Sequence, residues 1–111
     1  MDEVPYRFDV TAKAASLREQ YGSLVAGTET GVDVAVAGRL MLRREQGKLA
    51  FGQLRDSSGA IQLFCGAGWT DSFDGLRKLS LGDWVGVTGE VVATRTGELS
   101  VKVRSWVRLA E

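Results

Sequence analysis

The chain has 111 residues, 44% of them apolar and 25% charged, and its 14 lysines and arginines balance its 14 aspartates and glutamates. This is the composition of an ordinary single globular domain, neither disordered nor a nonspecific polycation. Histidine is absent and cysteine occurs once, as Cys65, which excludes histidine chemistry, an intrachain disulfide and a paired-cysteine metal site.

The opening Met1-Asp2-Glu3 is acidic and starts no apolar leader. No apolar run approaches the roughly 18 residues that a membrane span needs. A cytoplasmic chain with no membrane partner is expected. Tyr6 to Val10 shows no period. Thr11 is placed to cap a short helix in which Ala14, Leu17 and Tyr21 share one stripe, and Gly22 stands where a terminating glycine belongs. The segment Ala26 to Gly31 breaks that pattern. Residues 1–31 therefore read as an N-terminal helical extension and 32–111 as a barrel, together one structural domain.

From Val32 the period changes to two. Val34, Val36, Leu40 and Leu42 share one parity, and Ala35, Ala37, Arg39 and Arg43 the other. Gly38, on the apolar parity, predicts a bulge or sharp coil, so that one long strand serves both sheets of a small barrel. Gln46-Gly47 predicts a hairpin turn into a second strand, Leu49 to Arg55. Asp56-Ser57-Ser58-Gly59 predicts a turn into a third, Ala60 to Cys65. Thr70 or Asp71 then caps a short helix with Phe73, Leu76 and Leu79 inward. A fourth strand, Trp84 to Thr94, buries Val85, Val87 and Val91. After Thr96-Gly97, a fifth, Leu99 to Leu109, buries Leu99, Val101 and Val103. Cys65 reads as a small buried hydrophobe, and Trp69, Trp84 and Trp106 read as core.

Helix, three strands, helix, two strands is the plan of a mainly β protein, a five-stranded OB-fold Greek-key barrel with a short helix between strands three and four. An SH3-like barrel lacks that inserted helix. OB barrels bind oligonucleotides or oligosaccharides over the face of strands two and three.

Charge is unevenly placed. Arg39, Arg43, Arg44, Lys48 and Arg55 stand against Glu45 alone, and Arg95, Lys102, Arg104 and Arg108 against Glu98. Two basic segments on a neutral chain fit local binding of a polyanion; scattered surface charge is the other reading. On strand two, Ala50, Gly52 and Leu54 read as inward. Phe51 then falls outward beside Arg55, whereas a slip of one residue puts it in the core. The same outward parity carries Gln62 on strand three, Glu98, Ser100, Lys102 and Arg104 on strand five, and Arg39 and Arg43 on strand one. A ring stacks on a base, an amide or carboxylate reads a base edge, and guanidiniums hold phosphates. Single-stranded RNA presents all three targets.

The runs Val34-Ala35-Val36-Ala37-Gly38-Arg39, Gly47-Lys48-Leu49-Ala50-Phe51, Leu54-Arg55-Asp56, Gly59-Ala60-Ile61-Gln62-Leu63-Phe64 and Thr94-Arg95-Thr96-Gly97-Glu98-Leu99-Ser100 together resemble the N-terminal anticodon-binding domain of class II lysyl-tRNA synthetases. The resemblance covers almost the whole chain and is weakest before Val32. Ala12-Lys13 departs from the His-Thr pair often found early in the family's first helix. The resemblance implies that Phe51 stacks on the central anticodon base and Gln62 hydrogen-bonds the edge of a central uridine. It implies that Glu98 reads an adjacent base and Arg39 contacts the anticodon loop. Arg43, Lys48 and Lys102 are expected on phosphates by their charge.

The function so implied is recognition of a lysine tRNA anticodon, UUU or CUU, as a module of a bacterial lysyl-tRNA synthetase. The expected partners are the anticodon loop, the synthetase's catalytic domain and a second copy through the parent protein. No cofactor is expected here, since ATP and Mg belong to that catalytic domain, and in isolation the chain is expected not to be an enzyme. A free-standing single-strand binder, the OB module of a lysyl-phosphatidylglycerol synthase and a protein-interaction module are the alternatives.

Overall fold

A computed structural model describes residues 8–110, Ala110 by its backbone alone. Met1–Glu3, Tyr6 and Glu111 lie outside the described residues. The elements are α1 (Ala14–Tyr21), β1 (Glu29–Gln46), β2 (Leu49–Asp56), β3 (Gly59–Gly66), α2 (Phe73–Leu76), β4 (Trp84–Ala93) and β5 (Leu99–Ala110). The strands join in the order β1-β2-β3-β5-β4 and close into a barrel, the five-stranded OB architecture expected. Neighbours are antiparallel except β3 and β5, which run parallel through Gln62 and Ser100, Leu63 and Val101, and Phe64 and Lys102. Val36, Leu54, Ile61, Leu63, Val85, Val87, Val91, Val101 and Val103 fill the interior. Each such side chain contributes roughly 1.5–3 kcal/mol by leaving water.

β1 begins at Glu29, ahead of the expected Val32, because Glu29 pairs with Val92 and Asp33 with Glu90. The strand serves two neighbours: residues 29–39 pair with β4 and residues 39–46 with β2. Gly38 sits at the changeover. A Cβ there would lie 2.4 Å from the Arg55 carbonyl oxygen, so the two backbones approach where only glycine fits.

The bulge predicted at Gly38 instead falls at Met41. Leu40 faces Leu54 but Leu42 faces Gln53, leaving Met41 unpaired. One extra residue reverses the parity of everything after it. Leu42, expected in the core, is 56% exposed. Arg43, expected outside, turns to the inward parity opposite side-chain-free Gly52, where its guanidinium donates to the Leu79 carbonyl.

Both helices pack on the barrel core. α1 buries Ala14 and Leu17, and its first turn rests on the β2–β3 turn. Thr11 is not its cap; Lys13 holds that position, with no side-chain cap bond. Thr11 instead extends the sheet, donating its amide to the Ala35 carbonyl at 2.9 Å and accepting the Ala35 amide on its hydroxyl at 2.9 Å. The orphan helical amides are satisfied from far along the chain, Ala14 donating to Asp56 Oδ2 at 2.9 Å and Ala15 to Ser58 Oγ at 3.0 Å. α2 buries Phe73 and Leu76, with Leu79 just beyond, as expected. Its N-cap is Ser72, in the left-handed region at φ 51°, rather than Thr70 or Asp71. Thr70 is buried and ties the Gly66 amide to the Val103 carbonyl.

Cys65 is buried, and burial pushes its thiol up to about 12. Of the tryptophans expected in the core, Trp84 departs most. Trp69 is half-buried against Gly66, and Trp106 is half-buried on the core cluster. Trp84 is 36% exposed beneath the Arg39 guanidinium, 4.9 Å from its ring centre. It opens β4 on the parity opposite to buried Val85 and Val87.

Candidate nucleic-acid interface

The outer face of β1, β2, β3 and β5 carries two adjacent rungs. In the first, Arg44 faces Phe51, Phe51 faces Phe64, and Phe64 faces Lys102. Phe51 and Phe64 are stacked, with centroids 5.1 Å apart and planes 14° from parallel. Trp69 meets Phe64 edge-on at 5.0 Å. The two cations lie over aromatic rings, Arg44 5.0 Å from Phe51 and Lys102 4.8 Å from Trp69. In the second rung, Gln53 faces Gln62 and Gln62 faces Ser100. Gln62 Nε2 donates to Ser100 Oγ at 2.9 Å.

Phe51, Phe64 and Gln62 from these rungs line a groove of about 710 Å³, together with Arg44, Lys102 and the segment from Val92 to Thr96. Phe51 is half-buried and its neighbours Gly52 and Ala50 are buried, so it lies outward, as the alternation implies. The groove offers what an unstacked strand needs: aromatic faces, an amide beside them, and cations along the rim.

The structure brings Phe51, Gln62 and Lys102 together on this groove. Lys102 is also paired with Glu29 at 3.5 Å. Glu98 lies outside the groove lining, just ahead of β5, where its carboxylate is 3.5 Å from Arg18 of α1. Arg18 is itself anchored by a 2.8 Å bond from Nε to the Ala60 carbonyl. Arg39 is on β1 at the far end of β2, on Trp84 and against the Gly82 carbonyl at 3.2 Å. Lys48 is exposed on the β1–β2 turn. Arg43 is not on this face; besides Leu79 it approaches Glu45 at 3.8 Å.

Sequence reasoning passed over Arg44, Phe64 and Trp69. Phe64 shares Gln62's parity two residues on, and that signal was available. Arg44 reaches the face only through the bulge at Met41. Ser100, placed outward from its parity, is fully buried beneath Gln62. Arg104, of the same outward set, is spent on Asp33 at 3.0 Å. That hydrogen-bonded ion pair raises its pKa above the usual guanidinium range. Among the described residues no group of three or more cysteines, aspartates and glutamates is placed to hold a metal ion. Among them, too, no helix is long and apolar enough to cross a membrane.

Residues 34–109 match the model of a family described as OB-fold nucleic acid binding domain, of the tRNA anticodon type. The chain is 44% identical over 113 residues to the lysine–tRNA ligase of Synechococcus sp. (strain RCC307), covering 98% of this chain and 22% of that protein. It is 47% identical over 111 residues to the lysine–tRNA ligase of Synechococcus sp. (strain CC9311), covering 96% of this chain and 23% of the relative. Against the lysine–tRNA ligase of Prochlorococcus marinus (strain MIT 9211) the values are 44% over 121 residues, 96% and 24%. The chain thus spans less than a quarter of the length of these curated relatives.

Proposed function

This chain belongs to the tRNA anticodon family of OB-fold nucleic acid binding domains, and we propose that it reads the anticodon of a lysine tRNA as one module of a lysine–tRNA ligase. The observation that carries the reading is the pair of rungs. A stacked aromatic surface lies two residue pairs along the ladder from an outward amide, the next pair on the same face, and cations border both. Recognition, not covalent chemistry, is the work of such a face. Activation of lysine with ATP is assigned to the remainder of the parent protein.

In this reading the anticodon bases leave their own stack and lie along the groove. Phe51 supplies the seat for the central base, and stacking on an aromatic contributes roughly 1–3 kcal/mol per base. Gln62, beside that seat, hydrogen-bonds the edge of the central uridine. Glu98, held by Arg18, reads an adjacent base. Arg44, Arg95, Lys102 and Lys48 hold phosphates around the groove, and Arg39 contacts the loop at the far end of β2. Arg43 has no part in it, because its guanidinium is engaged below the sheet. A wrong central base leaves the Gln62 amide without its partners. A buried hydrogen bond left unmade costs about 1–3 kcal/mol, roughly tenfold to a hundredfold in affinity.

The test is titration of the chain with an anticodon stem-loop bearing UUU, and with one whose central base is C, at two salt concentrations. Severalfold tighter binding of UUU, with both complexes weakened by salt, is the expected result. Equal binding identifies a general single-strand binder. Absence of binding at high micromolar concentration removes the RNA reading from the isolated chain.

A further inference from the structure

The parallel closure of β3 on β5 sets Gln62 opposite Ser100. Gln62 Nε2 donates to Ser100 Oγ at 2.9 Å, and Ser100 Oγ donates to the Glu98 carbonyl at 3.2 Å. The direction of this chain follows from its end. A backbone carbonyl only accepts, so the single hydroxyl proton of Ser100 points to Glu98, and its oxygen faces Gln62 as an acceptor. The amide must present N–H to it. Turned over, the amide would bring its carbonyl oxygen to the hydroxyl, which could donate to it only by turning its proton away from Glu98. Ser100 is fully buried, so no water replaces the bond given up, and the turned-over amide leaves this chain one hydrogen bond short. The terminal torsion of a glutamine is otherwise broad and roughly two-fold, and its two ends exchange readily.

We infer that Ser100 is a positioning residue that fixes which way the Gln62 amide faces and thereby makes the seat over Phe51 selective for uracil against cytosine. The inference rests on the anticodon reading above. For a pyrimidine held on the ring, uracil presents a donor at N3 and an acceptor at position 4, and cytosine presents the reverse at both. An amide free to turn over matches either base; an amide held by Ser100 matches one. Ser100 touches no base itself. The same hydroxyl joins the Gln62 side chain to the main chain of Glu98, so the two residues proposed to read neighbouring bases share one hydrogen-bonded strut.

The experiment compares the unsubstituted chain with Ser100→Ala and with Ser100→Thr, which keeps the hydroxyl. Two quantities are read: the affinity ratio for stem-loops bearing UUU and UCU, and the side-chain amide signals of Gln62 in nitrogen-15 NMR of the free protein. In Ser100→Ala the Gln62 signals move before any RNA is added, and the UUU to UCU ratio falls by at least about fivefold because UCU is no longer penalised. Ser100→Thr retains both the signals and the ratio. If Ser100→Ala weakens the two RNAs equally and the ratio stands, the inference is overturned while the anticodon reading survives. If the free-protein signals do not move, there is no lock and the inference fails whatever the RNA does. Signals that move in a chain that never distinguished UUU from UCU overturn the reading of Gln62, and the inferred selectivity with it.

Discussion

Arg44 stands opposite Phe51 across β1 and β2, with its guanidinium carbon 5.0 Å from the centre of the ring. The cation thus covers part of the surface on which a base would stack. Such a contact contributes about 0.5–1 kcal/mol at an exposed site, less than the roughly 1–3 kcal/mol of base stacking. An arriving base therefore displaces the guanidinium toward the backbone it brings with it. Arg44→Ala is expected to weaken the UUU stem-loop and to lower the salt slope of binding by about one phosphate contact. Arg43→Ala is expected to leave that slope unchanged and to lower the melting temperature. Titrations at several salt concentrations beside thermal melts separate the two, and an exchange of these phenotypes would place the bulge elsewhere than Met41.

Phe51→Ala removes a half-buried ring from the outer face. Affinity for the stem-loop should fall by roughly 1–3 kcal/mol, with a much smaller loss of stability than the ~3–5 kcal/mol typical of a core phenylalanine. Denaturant melts of the variant check this. A destabilisation of several kcal/mol would show that Phe51 supports the barrel rather than the ligand.

The docking of α1 is expected to depend on acid pH through Asp56. Burial acts to raise this carboxyl, but the Ser58 hydroxyl and the amides of Ala14, Ser58 and Gly59 outweigh it and hold the pKa below the ordinary value. A group depressed on folding contributes stability above its unfolded pKa of about 3.9 and loses it as pH falls through the lower folded value. Asp56→Ala should therefore destabilise the protein at pH 7, by about 0.5–2 kcal/mol if it behaves as a lost cap. The difference from the unsubstituted chain should shrink at pH values below the folded pKa. Paired melts across that range measure it; a difference that is constant with pH would exclude the carboxylate as the cause.

Gly38→Ala places a methyl 2.4 Å from the Arg55 carbonyl oxygen. Because that neighbour is backbone, β1 and β2 must separate, at a cost of about 1–3 kcal/mol or more. Chemical denaturation should register the loss. Retention of full stability would mean that β1 passes from β4 to β2 without a close approach at this residue.

Much of this architecture is legible one strand at a time. The alternation in Val34–Leu40, Ala50–Leu54, Ile61–Cys65, Val85–Val91 and Leu99–Val103 separates inside from outside, because the two-residue period is a property of a single strand. That alternation placed Phe51 and Gln62 outward and put Val36, Leu54 and Val101 in the core, where they are found. What could not be read there are the relations that need a second strand or a distant turn. A bulge is an extra residue only in relation to its partner, so the Met41 bulge, which exposes Leu42, turns Arg43 inward and delivers Arg44, has no mark in β1 alone. The amides that open α1 find acceptors in Asp56 and Ser58, some 42 and 43 residues away, and Thr11, the nearby candidate, is engaged with Ala35 instead. The parallel meeting of β3 and β5 sets Lys102 opposite Phe64 and buries Ser100 beneath Gln62. Periodicity says which side of a strand a residue occupies; its neighbour across the gap follows from register, and register is settled only when both strands are packed on one core.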